Sequence, residues 1–142
     1  MTRVLVTGGR DFADVAIVFL ALNRVHNLFG ITAIIHGDAA GADSLAKDWA
    51  DIRGIEPLSF PAKWSDIDTK PCRIGINRFG KPYNKLAGHN RNTQMIVEGK
   101  PSHCVAFPGG TGTADMRGKA IRHRLAVLDV SKNGEMEWII RK

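Results

Sequence analysis

The chain has 142 residues, of which 44% are hydrophobic and 24% charged, and its formal net charge is +6. A chain of this length forms one domain and buries enough surface to fold without disulfide or metal staples. We therefore expect Cys72 and Cys104 to be free thiols and predict neither a metal site nor a cofactor. No apolar run approaches the ~20 residues that a bilayer requires, and no cleavable signal follows Met1. These features predict a soluble cytoplasmic protein with no membrane partner.

The positive charge is concentrated in one segment. Residues 63–91 contain seven basic side chains and two acidic ones. This excess favours an anionic partner, but net charge alone does not distinguish a nucleotide from a nucleic acid. The segment is either a solvated loop or a flap that faces an anion.

Short apolar strands alternate along the chain with segments of helical periodicity. Strands are predicted at 3–7, 32–36, 55–60, 102–107 and 125–130, helices at 15–29, 45–53, 90–98 and 113–123, and a short edge strand at 135–141. This alternation predicts right-handed βαβ crossovers. The expected fold is an α/β, Rossmann-like three-layer sandwich with a mainly parallel five-stranded sheet and helices on both faces. We expect residues 1–142 to form a single domain with a long loop or lid at about 65–86.

Ligands of such folds bind beyond the carboxyl ends of the strands, so the residues that follow the strands are the candidate site. Three of these loops are rich in glycine and polar residues. The predicted ligand-binding residues in them are Gly8, Gly9, Arg10, Gly37, Asp38, Gly41, Ala42, Asp43, Gly109, Gly110, Thr111, Gly112 and Thr113.

The segment 108–113 carries the strongest local signal, with three glycines in four residues before a helix. Glycine lets the backbone approach a phosphate, and the N–H groups of the helix N-terminus bind it. The alternative is a tight turn in which Thr113 caps the helix. Asp43 has two interpretations as well, as a ligand of a ribose hydroxyl or as an acid in the first turn of a helix.

Two common nucleotide-binding motifs are absent from the sequence. No loop has the G-x-G-x-x-G spacing of a dinucleotide fingerprint, and none has the lysine of a P-loop. The sequence therefore argues against an ordinary NAD-dependent dehydrogenase and against a P-loop NTPase.

The order of five motifs resembles the YspA-related branch of the SLOG superfamily, over about residues 4–130. The motifs are Gly-Gly-Arg-Asp-Phe at 8–12, His-Gly-Asp-Ala-Ala-Gly-Ala-Asp-Ser-Leu-Ala at 36–46, Phe-Pro-Ala-Lys-Trp at 60–64, Ala-Gly-His-Asn-Arg-Asn-Thr-Gln-Met at 87–95 and Phe-Pro-Gly-Gly-Thr-Gly-Thr-Ala-Asp-Met at 107–116. The resemblance implies a Rossmann-like domain that binds nucleotides or nucleotide-derived ligands, often in phages or mobile elements. It also implies a homo-oligomer.

The same superfamily includes LOG-type enzymes, which hydrolyse the N-glycosidic bond of nucleoside monophosphates. Their motif is Pro-Gly-Gly-x-Gly-Thr-x-x-Glu with an upstream arginine, which Arg91 matches. Arg91 and its neighbour Asn92 therefore join the predicted ligand-binding residues. The position of the catalytic glutamate holds Met116, and Asp115 lies one residue earlier, about 100° away around a helix. The candidate catalytic residues are Arg91 and Asp115.

Three functions follow from these observations. The first is a non-catalytic module that senses, carries or sequesters a nucleotide-derived ligand. The second is a phosphoribohydrolase or related N-glycosidase that uses Asp115, which the missing glutamate argues against. The third is nucleic-acid binding like that of DprA, which 7% aromatic residues support poorly, because base stacking needs aromatic platforms. Ligand binding is the favoured interpretation.

Overall fold

The computed structural model of the chain describes residues 2–140. Four helices and eight strands lie within these residues. In chain order they are β1 (Thr2–Thr7), α1 (Val15–Phe29), β2 (Ile31–His36), α2 (Ala42–Arg53), β3 (Glu56–Ser59), β4 (Ile74–Ile76), β5 (Pro82–Asn84), α3 (Ala87–Val97), β6 (His103–Ala106), α4 (Thr111–Arg122), β7 (Ala126–Val130) and β8 (Met136–Ile139).

The central sheet has the strand order β3-β2-β1-β6-β7-β8. The first five of these strands are parallel, and β8 pairs antiparallel with β7. The predicted α/β, Rossmann-like sandwich is confirmed, but the sheet has six strands rather than five. The predicted edge strand joins it because the Ser131–Glu135 turn is too short for a helical crossover, and the chain therefore returns antiparallel.

Alternate residues of the buried strands pack into two separate cores, one on each face of the sheet. Val4 and Val6 of β1 pack with α1 and α2 in the first core cluster. Leu5, between them, packs with α3 and α4 in the second. All three side chains are fully buried, and each such burial stabilises the fold by about 1.5–3 kcal/mol. The two cores make the three-layer sandwich.

The ends of α1 show how local sequence sets the helix limits. Oδ1 of Asp14 accepts a hydrogen bond from the backbone N–H of Ile17 at 3.1 Å, which caps the N-terminus. Gly30 ends the helix with φ of 71°, and its N–H donates to the carbonyl of His26. Because these signals are local, the sequence predicts this helix with the same limits.

The predicted loop at 65–86 contains the antiparallel hairpin β4-β5. Its base is anchored by Asn84, whose buried Oδ1 accepts the N–H groups of Arg73 and Leu86 at 3.2 and 2.9 Å. The two strands have three residues each, which is too short for sequence periodicity to reveal. Within the described part of the chain, no helix is both long and apolar enough to cross a membrane. Cys72 and Cys104 are free thiols.

Candidate functional site

The site lies where the strand order reverses direction. From β1 the chain builds the sheet one way through β2 and β3, then crosses to β6 on the other side of β1. Loops on the two sides diverge there and leave a crevice at the carboxyl ends of the strands. A cavity of about 440 Å³ occupies it, a volume typical of small-molecule sites.

The cavity brings together ten of the predicted ligand-binding residues. They are Gly8, Gly9, Arg10, Asp43, Arg91, Asn92, Gly110, Thr111, Gly112 and Thr113. The remaining predicted residues lie outside its lining. They are Gly37, Asp38, Gly41, Ala42, Gly109 and the candidate catalytic residue Asp115.

Backbone contacts centred on Gly9 join the loops after β1, β2 and β6. The Gly9 N–H donates to the carbonyl of Pro108 at 2.8 Å, and the Gly9 carbonyl accepts the N–H of Ala42 at 3.3 Å. Gly41 packs against the same place, because a Cβ there would collide with the carbonyl oxygens of Gly9 and Arg10. The three loops are thus held together by contacts within the chain.

The glycines of the site divide into two groups. Gly8 and Gly109 have no room for a side chain, since a Cβ would overlap Ala42 and Thr113 respectively. These two glycines serve the packing of loop on loop. Gly110 and Gly112 line the cavity with open space around the position of a Cβ, so their backbone is accessible to a ligand.

Helix α4 points its N-terminus into the cavity without a side-chain cap. It begins at Thr111, and the N-cap residue Gly110 offers no side-chain acceptor. The alternative in which Thr113 caps this helix is wrong, because the helix starts two residues earlier and Thr113 lies in its first turn. The first N–H groups of α4 are therefore available to an anion, with the hydroxyls of Thr111 and Thr113 beside them.

Arg91 reaches the site from α3 and is held by two hydrogen bonds. Its Nη1 donates to the carbonyl of Gly37 at 2.6 Å, and its Nε donates to Oδ1 of Asn92 at 3.0 Å. A Cβ at Gly37 would collide with the guanidinium, so this glycine makes room for the cation. Burial lowers the pKa of Arg91, and the nearby Asp43 opposes that effect.

Asp43 lies in the first turn of α2 and is 6% exposed. Its Oδ2 accepts the N–H groups of Gly37 at 3.0 Å and Ala39 at 3.4 Å. Burial raises the pKa of Asp43 to about 6, although Arg91 and the two N–H groups favour the ionised form. Because both hydrogen bonds fall on Oδ2, the carboxyl can use Oδ1 toward a ligand in the cavity.

Asp115 contacts three polar side chains at the interface of α3 and α4. Its Oδ1 lies 3.0 Å from Nδ1 of His89, and its Oδ2 accepts from Asn92 at 3.0 Å and from Lys119 at 2.5 Å. Burial opposes its ionisation, but these hydrogen bonds outweigh burial and lower the pKa of the carboxyl. Met116 is fully buried in the second core cluster. Asp115 therefore orients His89 and Asn92, which line the cavity, and lies behind them.

The predicted residues outside the lining have identifiable positions. Asp38 is exposed with φ of 56°, and its N–H donates to Nδ1 of the buried His36. Ala42 is fully buried against Gly8. Within residues 2–140, no three His, Cys, Asp or Glu side chains are grouped so that they could hold a metal ion.

Eight residues outside the predicted set also line the cavity, and four of them come from the segment after β3, namely Trp64, Lys85, Gly88 and His89. None of these four directly follows a strand of the central sheet, so the strand-end rule alone does not select them. All four fall inside the basic segment 63–91, whose charge was the available signal. Of its basic residues, Lys85 and Arg91 line the cavity, while Arg73, Arg78 and Lys81 lie outside the lining.

Comparisons with known proteins agree with the motifs and the fold. Residues 2–66, which include the loops after β1 and β2, match the model of the YspA, cpYpsA-related SLOG family. The chain is 31% identical over 116 residues to the gene 61 protein of Mycobacterium phage D29, an alignment that covers 78% of this chain and 79% of the phage protein. No solved structure is significantly similar. The chain belongs to the YspA and cpYpsA-related SLOG family.

Proposed function

We propose that the protein binds a nucleotide or nucleotide-derived molecule in the 440 Å³ cavity and acts as a sensor, carrier or sequestering module. The observation that carries this proposal is the uncapped N-terminus of α4, which opens onto the cavity beside the accessible backbone of Gly110 and Gly112. Such a helix end favours a phosphate both through its free N–H groups and through its dipole.

The charges around the cavity support an anionic ligand. Arg10, Lys85 and Arg91 line it, and Asp43 is the one acidic lining residue in the described part of the chain. In a partly enclosed cavity these cations attract a phosphate more strongly than they would at an open surface. The ionised Asp43 carboxylate would accept a hydrogen bond from a sugar hydroxyl, a group that nucleotides carry next to the phosphate.

The first prediction tests the phosphate subsite with Arg10→Ala. Arg10 is exposed and makes no side-chain hydrogen bond or ion pair within residues 2–140, so its removal should leave the fold intact. Loss of one charged hydrogen bond should weaken the binding of AMP by roughly tenfold to a hundredfold. Isothermal titration calorimetry with AMP and with adenosine measures this loss, and adenosine should bind the wild type far more weakly than AMP.

Arg78→Ala is the matched control, because Arg78 lies on the β4-β5 hairpin over the ring of Phe79 and outside the cavity. The two variants have the same net charge. If both variants weaken AMP binding equally, only the overall charge of the protein matters and the phosphate subsite is rejected. Unchanged binding by Arg10→Ala would reject it as well.

A further inference from the structure

We infer that Trp64 forms a nucleobase subsite in the same cavity and selects ligands that carry a purine. This inference rests on the proposed nucleotide binding and specifies which nucleotides the site takes. The lining of the cavity includes Trp64 as well as the N-terminal turn of α4. One continuous space therefore connects an aromatic ring with an anion-binding helix end.

Trp64 lies close to the phosphate subsite because the chain after β3 folds back onto α3. Its indole edge faces Gly88 in the first turn of α3, and the next residue, His89, lies 3.0 Å from Asp115 of α4. Trp64 and the N-terminus of α4 thus line one cavity of about 440 Å³. A ligand that contacts both carries an aromatic ring and an anionic group close together, as a mononucleotide does.

Trp64 is held in place without being part of a core. Its carbonyl accepts the N–H of Asn84 at 2.6 Å, and its indole edge lies above Gly88, where a Cβ would be 3.4 Å from Cη2. The side chain belongs to neither core cluster and is 41% exposed. Trp49, by contrast, is 1% exposed in the first core and donates its Nε1 hydrogen to Asn23.

These observations favour stacking on a base. An ordered indole that is accessible from a ligand-sized cavity can stack on any base, and each such stack strengthens binding. A purine overlaps the two fused rings of an indole more completely than a pyrimidine does. The favoured ligand class is thus a purine nucleotide or a molecule built on one.

The experiment compares AMP, GMP, UMP and ribose 5-phosphate on the wild type, Trp64→Phe and Trp64→Leu, with Phe79→Leu as the control. Phe79 is an exposed aromatic residue on the hairpin, outside the cavity. Wild type should bind AMP and GMP more tightly than UMP, and roughly fivefold to a hundredfold more tightly than ribose 5-phosphate. Trp64→Leu should remove this preference, Trp64→Phe should retain part of it, and Phe79→Leu should retain it fully.

Tryptophan fluorescence gives a second readout, because AMP should quench the emission of the wild type but not that of Trp64→Phe. Circular dichroism verifies that the variants are folded. If ribose 5-phosphate binds as tightly as AMP and Trp64→Leu changes nothing, the base subsite is wrong while the phosphate subsite stands. If UMP binds as tightly as AMP, the inferred purine preference is wrong. If neither AMP nor ribose 5-phosphate binds, the proposed function and this inference both fail.

Discussion

Replacement of Gly41 by alanine is expected to destabilise the folded protein by more than about 3 kcal/mol and to abolish AMP binding. Gly41 has φ of 73° and ψ of −126°, a conformation that only glycine adopts without strain. A Cβ there would also collide with the carbonyl oxygens of Gly9 and Arg10. Because these are backbone atoms, relief of the clash requires the loops after β1 and β2 to separate, which dismantles the cavity.

Gly54→Ala is the control for this prediction. Gly54 also has positive φ, at 69°, but nothing lies within 4 Å of the position that a Cβ would take. The Gly54→Ala variant should lose only about 1–2 kcal/mol of folding stability, which is the cost of a left-handed backbone conformation in an L-residue. Urea unfolding followed by circular dichroism measures both losses. Equal losses would show that the contact between the loops contributes nothing to stability.

The second large effect is a gain in folding stability. Asp43→Asn is expected to stabilise the protein by roughly 3 kcal/mol at pH 7.5. Burial raises the pKa of this carboxyl in the folded chain to about 6, against an ordinary value of 3.8. The folded state therefore holds the proton more tightly than the unfolded state. Wild type loses stability as the pH rises from about 4 through 6, and stays at the lower level above that range.

Asparagine has no proton to lose and keeps an oxygen that can accept the N–H groups of Gly37 and Ala39. The free energy of unfolding, measured with urea at pH 4.5 and 7.5, should accordingly differ less between the two pH values in Asp43→Asn than in the wild type. A less stable Asp43→Asn at pH 7.5 would contradict the prediction. We expect the same variant to bind AMP more weakly, since a carboxylate that costs stability is typical of functional sites.

Asp115→Asn is expected to change stability in the opposite direction from Asp43→Asn. Hydrogen bonds from Lys119, Asn92 and His89 outweigh burial and lower the pKa of Asp115, so its ionised form stabilises the folded state. That contribution is present above the ordinary pKa of an aspartate and is lost as the pH falls through the lowered value. Asp115→Asn should thus be less stable than the wild type at pH 7.5, and the difference should shrink in acid.

Much of the fold was predictable because its signals are local or periodic. The three- and four-residue spacing of Val18, Leu22 and Val25 predicts α1, and all three are fully buried. The approach of the loops after β1, β2 and β6 was predictable too, since parallel strands bring their carboxyl ends to one edge. The start of α4 was not, because no capping side chain stands at Gly110.

The side chains that contact Asp115 could not be predicted from the sequence, for a different reason. His89 and Asp115 are 26 positions apart, on helices that pack together only in the folded chain. Nothing in the local sequence of either helix states which face will meet the other. The roles of Trp64 and Lys85 likewise depend on how the hairpin segment folds back toward α3, which no periodic pattern encodes.

The contacts that join the loops after β1, β2 and β6 bear on which positions of the cavity can change without disturbing the fold. Close packing at Gly8, Gly41 and Gly109 and the backbone hydrogen bonds of Gly9 hold the loops to one another, while Ala39 and Thr111 line the cavity. We expect changes at these two positions to alter the selectivity of the proposed site without loosening the framework. Loops that are ordered by contacts within the chain meet the entropy cost of ordering during folding, so that a ligand would not have to supply it.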